Sequence, residues 1–209
     1  GIVGGLYAAG YTPEELSTIA RKLDFATLLQ NAPPRTTMLQ TRRGERGRDL
    51  LTIRFDGLVP EIPQALTSGQ SLTNLLTQLT TRATYRSAGD FLNLRIPFAT
   101  VSTDVVSGEK RVLTSGSLAD AMRATMAFPL AFTGLEIDGE LLMDGGMVDP
   151  LPVDVARTLS DSVDFVVAVN TASPLMEREE IVTPVDIANQ VTSIMTAEKL
   201  SVSVAEADY

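Results

Sequence analysis

The chain has 209 residues, 44% of them hydrophobic, which is long enough to bury one substantial core. A formal net charge of −9 argues against the sequence-independent phosphate-binding surface that nucleic-acid binders need. Neither cysteine nor histidine occurs, so disulfides, thiolate or imidazole metal sites, Ser-His-Asp triads and Cys-His pairs cannot be built from these residues.

The opening stretch, GIVGGLYAAG, reads as a helix in which Gly1, Gly4, Gly5, Ala8 and Ala9 form a nearly bare face beside Ile2, Val3 and Leu6. A face so stripped predicts close packing against a sheet or a backbone. Gly10 suits the helix C-cap, and Thr12-Pro13-Glu14-Glu15 is a capping box that predicts a second helix over 13–23. Residues 32–49 turn irregular, with Pro33-Pro34 followed by the crowded Arg42, Arg43, Arg46 and Arg48. This reads as a solvated loop, contact with anionic lipid headgroups being the functional alternative. A strand is expected over 50–55, and the LxxLLxxL spacing of 72–79 predicts an amphipathic helix. Ser71 in Gly69-Gln70-Ser71-Leu72-Thr73 is then a helix N-terminal residue, since the stretch lacks the final glycine of GxSxG and the apolar strand before it.

Residues 94–105 are apolar and β-branched, and Ser107-Gly108 turns them toward a partner strand over 110–113. Helical periodicity over 117–126 stops before Phe128-Pro129, and 135–143 reads as a hairpin turning at Asp138-Gly139. The apolar run 165–169 has the character of a buried parallel strand. The stretch from 184 to about 204 reads as one helix, cut rather than finished. With no repeat, low-complexity tract or linker-like shift, 1–209 reads as a single domain. The alternation of helices and buried strands predicts an α/β fold with a central, largely parallel sheet. No apolar run is long enough for a signal peptide or a membrane span.

The most informative motif is Asp144-Gly145-Gly146. It puts a carboxylate at a strand end, followed by two residues able to take positive φ and to admit a close backbone or ligand. An ordinary tight turn is the plain reading of Asp-Gly, but Asp149-Pro150-Leu151-Pro152 then fixes the chain before a helix, more constraint than a solvent turn requires. Asp104, ending an apolar strand, is a second candidate carboxylate whose plainer reading is a satisfied strand end. Asp149 and Asp154 suit a turn and a helix start. Met122, Met126, Phe128 and Phe132 have the spacing of plain core, an acyl-chain pocket being the functional alternative.

The run SGSLADAMRATMAFPLAFTGLEIDGELLMDGGMVDPLPVDVAR, from Ser115, resembles the C-terminal catalytic half of bacterial patatin-like phospholipases. GIVGGLYAAGYTPEEL resembles the helix that follows their GxSxG nucleophile elbow. IPFATVSTDVVSGEKRVL and VDIANQV are similar to segments of the family as well, so the resemblance covers most of the chain, 42–48 being its least familiar part.

The resemblance implies a three-layer fold with a central, largely parallel sheet flanked by helices, and a Ser-Asp dyad in place of a triad. That dyad would explain an acyl hydrolase without histidine. Carried over residue by residue, it makes Asp144 the group that accepts the serine proton and Gly145 and Gly146 the turn that aims it. Gly1, Gly4 and Gly5 belong to the elbow helix, packed tightly with its positive end toward the developing oxyanion. No GxSxG occurs in the chain, so the nucleophile and the glycine-rich oxyanion loop are expected upstream of Gly1, and 1–209 alone is expected to be inactive.

The implied reaction is cleavage of phospholipid or other acyl esters without metal or organic cofactor. It involves peripheral membrane contact and no nucleic acid, in a protein either exported and outer-membrane-associated or cytoplasmic. A different reading is a non-catalytic lipid-binding or scaffold domain of the same fold. A nucleotide-binding domain using Gly1, Gly4 and Gly5 is disfavoured, because neither GxGxxG nor GK[ST] occurs.

Overall fold

A computed structural model describes residues 1–24, 54–56, 59–61, 65–172 and 174–209. The expected loop at 32–49 and most of the strand expected over 50–55 lie outside these residues.

The helical entry matches the sequence reading. Helix α1 spans Ile2–Ala8, and Gly10, at φ 110°, closes it with the paired bonds of a Schellman motif, Gly10 N–H to the Tyr7 carbonyl and Tyr11 N–H to that of Leu6. Helix α2, Pro13–Lys22, carries the reciprocal capping box: Thr12 Oγ1 accepts from Glu15 N–H and a Glu15 carboxylate oxygen accepts from Thr12 N–H. Helix α3 is Gln70–Arg86, with Ser71 in its first turn and Leu72 and Leu76 buried. Helix α4, Leu118–Ala124, is capped by Ser117 and buried on almost every residue. Helices α5, Val153–Thr158, and α6, Pro184–Glu206, complete the set.

The strands are β1 (Arg54–Asp56), β2 (Val59–Glu61), β3 (Ala65–Thr67), β4 (Thr100–Asp104), β5 (Lys110–Leu113), β6 (Leu130–Phe132), β7 (Leu135–Ile137) and β8 (Glu140–Asp144). Here the expectation of a central, largely parallel sheet is corrected. Among the described residues the largest sheet has four strands in the order β5-β4-β8-β7, and every pairing in it is antiparallel. Among the described residues parallel pairing is confined to β3 with β6. The reason lies in the connections, since parallel neighbours need a crossover of a dozen residues or more, whereas β4–β5 and β7–β8 are joined by short turns. One is the two-residue turn Asp138-Gly139, where both residues have positive φ, as a type I′ hairpin requires.

Strand β4 is buried at all five positions although its sequence is Thr-Val-Ser-Thr-Asp, so its burial comes from α4 and neighbouring strands and not from an apolar composition. Residues 165–169 need the opposite correction. They form no sheet strand, and Phe165, Val167 and Val169 are 62%, 57% and 72% exposed. Their backbone bonds go to the C-terminal tail, Val166 N–H to the Asp208 carboxylate and Ala168 N–H to the Tyr209 carbonyl.

The core gathers Leu6, Leu72, Leu76, Phe91, Leu118 and Met122 between α1, α3 and α4. The bare face of α1 is what admits this packing. A Cβ on Gly5 would collide with the thioether of Met122 and one on Gly1 with the Thr125 methyl, while one on Gly4 would stand 3.3 Å from the Phe98 ring. The expected close contact is thus made with α4, the residue after it and an aromatic ring, not with a sheet.

Candidate active site

Asp144 is the last residue of β8, where its register partner on β4 is Ser102. Thr103 Oγ1 donates to the Asp144 backbone carbonyl at 2.8 Å, which pins the strand end. The Asp144 side chain accepts the Gly146 N–H at 2.8 Å and caps the short 3₁₀ turn Gly145–Met147. The aim of the carboxylate is therefore set two residues away by its own backbone.

Neither Gly145 nor Gly146 adopts positive φ, so the conformational argument for them fails. Close approach is what requires Gly145: a Cβ there would overlap the Val101 carbonyl, a backbone group that cannot turn aside. Gly145→Ala is expected to cost about 1–3 kcal/mol as overpacking, read as a lower midpoint in thermal unfolding. An unchanged midpoint would show that β4 yields.

Asp144, Gly145 and Gly146 share a cleft of about 460 Å³ with Gly1, Thr100 and Thr125. Thr125 fills the space left by the missing Gly1 side chain and donates its hydroxyl to the Val101 carbonyl at 2.6 Å. Gly1, at the start of α1, and the Asp144 carboxylate thus line one cleft. Burial pushes the Asp144 carboxyl above the usual carboxylate range, opposed by the Gly146 N–H that it accepts. A carboxylate partly desolvated and held by one amide N–H is poised to take a proton.

Two neighbouring hydroxyls, Thr100 Oγ1 and Ser102 Oγ, are buried without a hydrogen-bond partner. Opposite residues in an antiparallel pair project to the same face, so Ser102 and Asp144 share one. The site thus keeps uncommitted hydroxyl groups around its acid, which no spacing in the sequence announces.

The other acidic candidates fall outside the chemistry. Asp104 accepts from Ser107 Oγ and from the N–H groups of Val106 and Ser107; these bonds, the Ser107 hydroxyl first, hold its carboxyl below the usual range. It caps the β4–β5 turn. Asp149 and Asp154 are joined by Lys110, whose Nζ lies 2.8 Å from Asp149 and 2.5 Å from Asp154. Burial alone would lower the Lys110 ammonium, but the two carboxylates outweigh it and hold it above its ordinary value. Asp149 lines the cleft and its N–H donates to the Gly145 carbonyl, so this clamp braces the turn that carries the acid. Among the described residues no group of three or more acidic side chains is placed to hold a metal ion.

A family model described as patatin-like phospholipase matches residues 1–157, from the first glycine through the acid and into α5. The chain belongs to the patatin-like phospholipase family. Its similarity to individual relatives is more local. It is 36% identical over 92 residues to an uncharacterized NTE family protein of Mycobacterium tuberculosis, covering 43% of this chain and 26% of that protein. It is 39% identical over 83 residues to patatin-like phospholipase domain-containing protein 7 of Mus musculus, and 36% identical over 83 residues to domain-containing protein 6 of Homo sapiens. Each of these covers 39% of this chain and 6% of the relative. The chain therefore spans about a quarter or less of the relatives it matches. Residues 158–209, with the exposed run at 165–169 and α6, lie beyond the part that matches the patatin-like phospholipase model.

Proposed function

We propose that the protein is a serine acyl hydrolase of lipid acyl esters, phospholipase A or lipase-like. Asp144 is the base of a Ser-Asp dyad, and its serine is carried by residues preceding Gly1. The observation that carries this reading is that the start of α1 and the half-buried Asp144 carboxylate line one cleft. Any side chain delivered just ahead of Gly1 arrives beside that acid.

In the reaction Asp144 accepts the serine proton as Oγ attacks the ester carbonyl, and the tetrahedral adduct expels the alcohol, which takes that proton. Water, deprotonated by Asp144, then releases the acyl group and frees the serine. No metal or organic cofactor enters these steps. An apolar slot of about 290 Å³ opens beside Ile2 and Val3, one turn from Gly1, and runs between Leu72, Leu76, Met126 and Phe132. It suits an acyl chain. Met122 takes no part in the slot and is fully buried core. Peripheral contact with a membrane follows from such a substrate, and among the described residues no helix is long and apolar enough to cross one.

The test is fluorophosphonate labelling of the intact protein, with the modified peptide read by mass spectrometry. One labelled serine just upstream of Gly1 is expected, with residues 1–209 produced alone staying unlabelled. A folded, intact protein that takes no label would overturn the proposal and leave a lipid-binding domain without catalysis.

A further inference from the structure

The far end of α1 borders a second cleft, of about 530 Å³, between the Ala9–Tyr11 corner, the last turns of α3 and the segment 93–95. Its rim carries Arg82 and Arg86, one turn apart on α3, and Arg95 from the facing segment. Among the described residues none of these three guanidinium groups is in an ion pair or hydrogen bond. On a chain with a net charge of −9 that is unusual company. A favourable helix C-terminus accounts for Arg86, in the last turn of α3, but not for Arg95 on another segment.

Two features hold the arginines around the space. Gly10 has no side chain where Arg95 passes: a Cβ there would sit 3.6 Å from Arg95 Cδ, so the stem lies along the corner. Leu79, Ala83 and Leu94 supply an apolar floor. The carboxylate at the rim is Glu15, and one of its oxygens already accepts the Thr12 N–H of the capping box. Guanidinium forks lining a concavity raise the positive potential inside it and match the geometry of phosphate oxygens.

We infer that this cleft binds a phosphate monoester, through Arg82, Arg86 and Arg95, at a site separate from Asp144. Helix rise puts the Gly10 corner about 12 Å from Gly1. The inference does not rest on the hydrolase reading, because neither Gly1 nor Asp144 lines this cleft. Its volume accommodates a glycerophosphate-sized group, and that group has two sources, a soluble ester or the headgroup of an anionic lipid.

Both are tested with the intact protein carrying Asp144→Asn, so that no lipid is consumed. Glycerol 3-phosphate is titrated by calorimetry, and flotation is measured on phosphatidylcholine vesicles with and without phosphatidic acid. Binding of one glycerol 3-phosphate per chain identifies the soluble source, and recruitment only to phosphatidic acid vesicles identifies the lipid source. In either case Arg82→Gln with Arg86→Gln, and separately Arg95→Gln, are expected to weaken binding about tenfold or more with the thermal midpoint unchanged. Glu15→Gln, which keeps the capping box, is expected to tighten it. Absence of binding to both probes, or binding indifferent to the arginine changes in folded protein, would overturn the inference.

Discussion

In the intact protein Asp144→Asn is expected to lower kcat/KM for ester hydrolysis by about 10²–10⁴-fold, the usual worth of a positioned general base. The same change is expected to raise stability at neutral pH. Burial lifts the folded-state pKa of Asp144 above its unfolded value, so the folded protein holds that proton longer. Native stability is then greatest below the unfolded value and falls as pH rises through the window between the two. Above that window wild type carries the penalty of a partly desolvated carboxylate, and asparagine removes it. The acid limb of the kcat/KM profile should accordingly lie above the ordinary range of an aspartate. Thermal unfolding and activity measured on one preparation check both halves. Retained hydrolysis would sink the catalytic assignment, and a less stable variant would sink the electrostatic account.

The second large effect belongs to Lys110→Met. The Asp149 side chain is 4% exposed and has Lys110 as its ion-pair partner, so removing the ammonium leaves a buried carboxylate without compensation. A loss of about 3 kcal/mol is expected, which for a chain of this size lowers Tm by roughly 6–12 °C. Asp154, 60% exposed on its side chain, contributes little of this. Because Lys110 is held above its ordinary pKa, the stabilisation from the clamp persists through neutral pH and is lost only as pH rises through the elevated lysine value. Adding Asp149→Leu to Lys110→Met should recover much of the loss, since both buried charges are then gone. A single variant as stable as wild type would show that water reaches Asp149.

How much of this was legible beforehand differs from residue to residue. The strand-end position of Asp144 was readable because Asp-Gly-Gly follows an alternating strand, itself set by the type I′ turn at Asp138-Gly139. The capping box at Thr12 and the C-cap at Gly10 were equally local, their partners lying within five residues. The Lys110 clamp was invisible, for its partners lie 39 and 44 residues away and lysine in a strand carries no signal of what it will meet. Sheet polarity was misread for a related reason. An apolar run records that a segment wants cover but not which neighbour supplies it, so 165–169 resembled a buried strand, while the strand read over 94–105 forms only at β4, Thr100–Asp104, the part rich in Thr and Ser. The orphaned hydroxyls of Thr100 and Ser102 are a consequence of that same burial.

The antiparallel joint between β4 and β8 also has a temporal meaning. Each of the two hairpins that meet there closes over a short turn, an event of microseconds, whereas the bond from Thr103 to the Asp144 carbonyl ties together positions 41 residues apart. Loop-closure entropy delays that contact relative to the hairpins. Until it forms, the acid stands at the frayed end of an isolated ribbon, wet and ordinary in its acidity. The electrostatics of Asp144 on this scaffold are thus a property of the finished sheet, which a half-assembled chain does not yet have.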